Sequence, residues 1–441
     1  MTPAARLAAA IEVLADIEAT RRPVQDALKA WGLAHRFAGS GDRVAIGNLV
    51  FDALRKRASL AWRMGAETPR ALVLGAFRFV WGRPLDEIER RLAQDAHAPA
   101  ALSDDERHRL GSDDGLADAP DWVKADVPEW LAPSLARTFG DRFVVEGAGL
   151  AGRAPVDLRV NTLKATRDEV VAALADLDAV ATALSPIGIR VPVGEGPAKP
   201  PHVQSELGFA KGHFEVQDEG SQIAALVAGA RPGQQVLDLC AGAGGKTLAF
   251  AAEMDNRGQL YAYDSDKRRF GDIVERIDRA GARNIQIRPP GRTDPLTDLE
   301  GRMDLVVIDA PCTGTGTWRR RPDAKWRVTA NALEMRVRQQ DEVLATATRF
   351  VRPGGRLVYV TCSVLPEENE ARIAAFLDAH RDYALTDPAG AWLAGLGTAM
   401  PEAFAAPVAG HGRALRLTPA SAGTDGFFVA VLERRAPESR R

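Results

Sequence analysis

Cysteine is scarce in this chain of 441 residues: there are three, at 240, 312 and 362. So few exclude a disulfide framework and make a reducing, cytoplasmic setting the expectation. The seven histidines are scattered and no Cys/His spacing matches a metal site, so no metal is expected. A single-sign charge excess is also missing. The formal net charge is −2, from 57 basic and 59 acidic residues, so any basic face has to be local. Long apolar runs are absent too. The most apolar stretch, ALVLGAFRFVW at 71–81, falls well short of the roughly 20 residues a bilayer span needs. The first residues carry charges through their apolar stretch, which does not fit a secretory signal. No membrane partner is expected.

What is present is ordinary globular material, 46% hydrophobic and 26% charged, enough for more than one core. Residues 1–100 show apolar positions at helical spacing, as in RLAAAIEVLADIE and DRVAIGNLVFDALRKR, and read as an all-α domain. Residues 101–130 gather acids among Gly, Ser and Pro, and read as an exposed acidic linker. Residues 131–213 read as a small α/β unit. VDLRVNTL and IGIRVPV alternate like strands, and TRDEVVAALADL opens like a capped helix. From 214 to 434 strands and amphipathic helices alternate: QVLDLC, QLYAYD, NIQIR, MDLVVIDA, RLVYVTC and GFFVAVLER are the strands. That alternation predicts a Rossmann-like parallel sheet covered on both faces. Residues 435–441 read as a flexible tail.

The first strand of that half runs into a glycine-rich turn, VLDLCAGAGGKT (236–247), which opens a helix. Gly242, Gly244 and Gly245 permit a tight turn and close approach of a ligand to Cys240, Ala241 and Ala243. The free N–H groups near Lys246 suit an anionic group. Asp264, twenty residues after Gly244, can accept from both ribose hydroxyls of a nucleoside cofactor. The spacing is not G-x-G-x-x-G, which disfavours NAD. Asp238, inside the strand, favours S-adenosylmethionine, because a carboxylate there can meet the cofactor's cationic amino end.

Two of the cysteines follow strands of the same sheet. DAPC places Asp309 and Cys312 after one strand, and TCS places Cys362 after the next. In a doubly wound sheet these ends share a crevice with Asp238. A thiolate that adds to C6 of cytosine makes C5 nucleophilic toward a methyl donor. A carboxylic acid at N3 stabilises the adduct, and a second base removes the C5 proton. Asp309, Cys312 and Cys362 between them supply those three needs. Cys240 reads as a pocket residue instead.

DLCAGAGGKT, DAPCTGTG, TCSVLPEENE and DGFFVAVL resemble the signature blocks of the Sun/RsmB-type RNA 5-methylcytosine methyltransferases. HFEVQDEGSQ and RRRPDAKWR resemble the flanking blocks, over roughly 214–434. LRVNTLKATRDEV resembles the family's small RNA-recognition-like subdomain, and the N-terminal helices look like a diverged NusB-type RNA-binding domain. The resemblance implies a class I S-adenosylmethionine methyltransferase fold after those two modules. It also implies Cys362 as the covalent nucleophile and Cys312 as the group assisting proton removal and release. Asp309 would contact cytosine and cofactor, residues Cys240 to Lys246 would wrap the methionine end, and Asp264 would hold the ribose. The module order points to the branch acting on small-subunit ribosomal RNA; separately, a monomer is expected. The pattern departs at Pro290, where the family carries an acid near the adenine.

The run 267–292 holds eight basic residues against three acids. The run 318–338 holds seven against two, with Trp318 and Trp326 interleaved. For the second run, contact with RNA and stacking on an unpaired base are expected. Two other readings compete with the RNA cytosine-C5 methyltransferase: a non-catalytic RNA-binding or assembly factor on this scaffold, and a methyltransferase acting on tRNA or another substrate.

Overall fold

The computed structural model describes residues 1–112 and 115–436. Asp113 and Asp114, and most of the expected tail, lie outside them. The chain forms two compact units. One comprises Met1–Ala154, Val193–Pro200 and Trp318–Val328; the other comprises Pro155–Pro192, Pro201–Thr317 and Thr329 onward. No helix among the described residues is long and apolar enough to cross a membrane.

The first unit is helical. Its first helix, Pro3–Thr20, starts where the Thr2 side chain accepts from the Ala5 N–H and Pro3 fixes the first turn. Its apolar stripe, with Leu7, Val13 and Leu14, packs with Ile46, Leu49 and Val50 of Ser40–Arg55 and Leu72 of Pro69–Gly75. Burying each such side chain stabilises the unit by roughly 1.5–3 kcal/mol.

The stretch 101–130 is not an exposed linker. It folds into the helices Asp104–Gly111 and Asp121–Lys124, and buries Leu102, Leu110, Val123 and Val127. Its first three acids have a local cause. Ser103 and Glu106 form a capping box, and Asp104, Asp105 and Glu106 occupy the first turn, where negative charge complements the helix N-terminus. Residues 131–154 are helical as well and belong to this unit.

The RNA contact expected over 318–338 is corrected only in part: Arg321, Arg327 and Arg338 are exposed, and the correction falls on Trp318, Arg319 and Lys325 in the segment 318–328. This segment forms part of the helical core: Trp318 and Lys325 are each 1% exposed and Arg319 is 4% exposed. Lys325 Nζ donates to the carbonyls of Arg55 (2.8 Å) and Asp126 (2.6 Å), and Trp326 Nε1 donates to that of Leu54. Burial pushes the Lys325 ammonium down to about 7. The interleaved Trp and Lys residues serve packing here, with Lys325 Nζ 5.0 Å from the Trp326 ring.

In the second unit, strands β1 (Val156–Val160), β2 (Val180–Ala181), β3 (Gly188–Val191) and β4 (Phe214–Val216) form an antiparallel sheet in the order β2-β3-β1-β4. Leu158, Val160, Ile189, Val191 and Phe214 line its core face under the helix Arg167–Ala173. The alternate residues of β1, Asp157 and Arg159, are buried rather than solvated. Asp157 takes a bidentate pair from Arg190 at 2.7 and 2.9 Å.

The larger sheet holds β5 (Gln235–Asp238), β6 (Gln259–Ala262), β7 (Ile285–Ile287), β8 (Met303–Asp309), β9 (Val351–Thr361), β10 (Tyr383–Leu385), β11 (Ala405–Val408), β12 (Gly412–Leu417) and β13 (Phe427–Arg434). The order β11-β12-β13-β9-β8-β5-β6-β7 runs parallel from β9 to β7, and β10 pairs with β13. This is the expected Rossmann-like α/β architecture. The middles of the central strands are apolar on both faces because helices cover both sides. Val307, Val358 and Val360 point to one core, with Phe250 and Trp392; Val306, Ile308 and Tyr359 point to the other. Strands β10, β11 and β12 were not expected. AAPV and GRALRL are short, and carry a proline and two arginines where a strand signal needs apolar alternation.

Candidate active site

The turn after β5 is held in shape by its glycines and by buried polar groups. Gly242 (φ 52°) and Gly244 (φ 84°) lie in the left-handed region, and a Cβ on Gly244 would come within 2.8 Å of Ile273. The Asp264 carboxylate, 1% exposed after β6, accepts from the N–H groups of Gly242 (3.0 Å) and Asp266 (2.9 Å) and pairs with Arg269. The Arg159 guanidinium reaches from β1 of the small sheet to the Gly245 carbonyl (2.6 Å), and Arg276 donates to that of Ala243. The helix Gly245–Glu253 starts from this braced turn.

Asp238, Lys246 and Asp309 meet at the C-terminal ends of β5 and β8. Lys246, 6% exposed, pairs with the Asp309 carboxylate at 2.7 Å and lies 5.5 Å from the Phe427 ring. Asp238 Oδ2 accepts from the Thr247 hydroxyl at 2.7 Å, while the buried Oδ1 has no partner. Burial pushes Asp238 up to about 7, with nearby Asp309 adding to the effect. The orphaned Oδ1 beside a glycine turn fits a ligand that brings its own donor, as an ammonium does.

The two expected thiols come together. Cys312 Sγ and Cys362 Sγ are 3.4 Å apart, and both residues are half-buried. Asp309 pairs in register with Val360 of β9, so adjacent parallel strands deliver the two loops side by side. Cys312 is raised well above the usual thiol range, first by its hydrogen bond with Cys362 and then by burial. Behind the sulfurs lies a buried polar scaffold of Glu368, Asn369, Ser363, Thr315 and Gln340. Its residues come from three separate segments, around 315, 340 and 363–369, and only the fold brings them together.

Cys240 lines a cleft of about 550 Å³ with Leu239, Tyr263, Asp264, Pro311 and Arg336. Burial raises its thiol well above the usual range, as suits a wall residue. Of the basic run 267–292, five residues are engaged within the unit. Arg268 pairs with Asp266, Arg269 with Asp264, Arg276 and Arg279 with Glu215, and Arg288 with Asp298. Lys267, Arg283 and Arg292 are exposed.

Residues 225–433 match the family described as 16S rRNA methyltransferase RsmB/F, and residues 127–194 match the ferredoxin-like domain of RsmF/B-like methyltransferases. A ribosomal RNA small subunit methyltransferase B from Xanthomonas campestris is 33% identical over 325 residues, covering 72% of this chain and 67% of that protein. The chain belongs to the RsmB/F methyltransferase family. Another RsmB/F relative, a probable ribosomal RNA small subunit methyltransferase B from Synechocystis, is 34% identical over 58% of this chain. The match spans only 57% of the length of the Synechocystis and Enterobacter relatives. Among solved structures, that of PH0851 is similar over 98% of this chain and 99% of its own (TM-score 0.70, 26% identity). A methyltransferase homologue from Pyrococcus horikoshii is similar over 71% of this chain and 97% of its own (TM-score 0.56, 26% identity).

Proposed function

We propose that this RsmB/F member is an S-adenosylmethionine-dependent methyltransferase that methylates C5 of a cytosine in RNA, specifically small-subunit ribosomal RNA. The observation that carries this reading is the pair of thiols 3.4 Å apart, on loops leaving the same sheet edge as the glycine turn. Asp238, the turn Cys240–Gly245 and Asp264 would hold the cofactor. The unpartnered Asp238 Oδ1 would take its amino group. When bound there, S-adenosylmethionine supplies an electrophilic methyl group.

The chain's own residues do the rest. Cys362 adds to C6 of a flipped cytosine. As the S–C6 bond forms the thiol proton ends on N3 of the ring, and the Asp309 carboxylate, held by Lys246, accepts from that N3–H and stabilises the adduct. Cys312 keeps its proton while the Cys362 sulfur is free. Once Cys362 is bonded to carbon, the largest cause of that retention is gone. Cys312 can then ionise, accept the C5 proton and let Cys362 leave.

The test uses RNA bearing 5-fluorocytosine, with cofactor, and compares wild type with Cys362→Ala and Cys312→Ala. Wild type forms a covalent adduct and Cys362→Ala does not, while Cys312→Ala accumulates adduct on ordinary RNA. An adduct that survives Cys362→Ala and vanishes with Cys312→Ala reverses the assignment. Ribosomal and transfer RNA as alternative substrates, read by mass of the methylated nucleoside, test the choice of RNA.

A further inference from the structure

The Glu368 carboxylate is fully buried, and the bonds it accepts come largely from the two cysteine loops. Oε1 accepts from the Thr313 N–H (2.8 Å) and from Gln340 Nε2 (3.0 Å). Oε2 accepts from the hydroxyls of Thr313 and Ser363. Thr313 follows Cys312 and Ser363 follows Cys362, so one side chain joins the residues next to both thiols. Its own place is fixed in turn, because the Tyr359 hydroxyl donates to the Glu368 carbonyl at 2.7 Å. All of these donors are neutral. A buried charge held this way costs desolvation without gaining an ion pair, and stability alone does not account for it.

We propose that Glu368 is a positioning residue that locks the Cys312 loop to the Cys362 loop and divides the roles of the two sulfurs. This rests on the covalent mechanism proposed above and names the group that organises it. The Cys312 thiol is kept protonated first by its hydrogen bond with Cys362, then by burial, and the Glu368 carboxylate adds to both. The other titratable groups around Cys312 are few. Tyr359 on β9 is pushed far up by burial, Asp309 on β8 is paired with Lys246, and Arg372 and Asp341 pair with each other across two helices. With Cys312 holding its proton, Cys362 is the sulfur free to attack. With the loops tied, the thiols stay within reach of each other when the base arrives.

Glu368→Gln removes the charge and keeps the shape. Its carbonyl can face Thr313 N–H and Gln340, and its amide can donate to hydroxyls that turn to accept. The readout is alkylation by iodoacetamide of the full chain without RNA or cofactor, followed peptide by peptide against pH. In wild type, Cys312 reacts only well above the ordinary thiol range. In Glu368→Gln, Cys312 reacts several-fold faster at pH 8, its profile displaced toward lower pH. Glu368→Asp, which keeps the charge, restores slow reaction at Cys312. The proposal is overturned if the folded Gln variant leaves the Cys312 profile where it was. Should the Gln variant fail to fold by circular dichroism, fast Cys312 in a folded Asp variant overturns it equally, and slow Cys312 there supports it. A second arm maps adducts on 5-fluorocytosine RNA. Glu368→Gln distributes adduct over both cysteines, where wild type uses Cys362. If wild type forms no adduct at all, the mechanism fails, and the alkylation profile still decides the role of Glu368 separately.

Discussion

Asp238 offers a test in which acidity, stability and ligand binding move together. Its carboxyl is 1% exposed and rises from the ordinary 3.8 to about 7, chiefly through burial. At 1.36 kcal/mol per pH unit, the ionised form costs the folded protein about 4 kcal/mol. The sign follows from proton counting. Between pH 4 and 7 the folded state holds a proton that the unfolded state has released, so this group lowers stability as pH rises through that window and adds nothing further above it. Asp238→Asn removes the cost and keeps an acceptor for Thr247. Urea unfolding of the variant at pH 8 is expected to show a gain approaching that figure, and at pH 4.5 little difference from wild type. The same substitution removes the negative charge proposed to meet the cofactor's ammonium. Calorimetric titration with S-adenosylmethionine at pH 8 should therefore show affinity lower by about 100-fold, the value of a charge-assisted hydrogen bond of about 3 kcal/mol. A variant that gains stability yet binds as well as wild type would refute the contact. A variant whose stability tracks wild type at both pH values would refute the burial argument itself.

Arg159→Met removes a buried donor from the Gly245 carbonyl. It is expected to weaken cofactor binding about tenfold to 100-fold while leaving kcat within a few-fold, as separate titrations of KM and kcat would show. Lys325 titrates near 7 in the folded state, and its unfolded counterpart holds the proton up to about 10.5, so wild-type stability should rise with pH between those values. Lys325→Met should flatten that slope in thermal melts. Above the unfolded lysine range, where wild type no longer bears the cost of a buried ammonium, the variant should be less stable by about 1–3 kcal/mol through the stranded carbonyls of Arg55 and Asp126, and this deficit should shrink and reverse as pH falls toward 7.

What could be seen in the residues followed period and position. The apolar runs of β5, β8 and β9 and the glycine turn marked the sheet, and the cysteines at the ends of its strands marked where chemistry sits. Sequence distance hid the rest. Glu368 looks like one acid among several in LPEENE, and only the fold turns it toward Thr313 and Gln340. Arg159 looks like the solvated side of an alternating strand, yet it is buried and donates to Gln217 and to the Gly245 carbonyl at the glycine turn. Asp104, Asp105 and Glu106 mimicked a linker because helix caps and linkers draw on the same residues. Trp318 and Lys325 mimicked an RNA-binding surface because a cation beside an aromatic ring serves packing as readily as recognition.

The strip Trp318–Val328 has a consequence for how the chain is made. The helical unit begins at the first residue, but the Trp318 side chain and the Lys325 ammonium that complete its interior are synthesised long after its helices have emerged. During translation those helices wait with a gap in their core. The carbonyls of Leu54, Arg55 and Asp126 remain in contact with water until residue 328 has left the ribosome. Cutting the gene between the amino-terminal helices and the remainder yields a fragment missing its keystone, so expression trials of the helical part alone call for the late segment to be supplied as a peptide or grafted onto a loop.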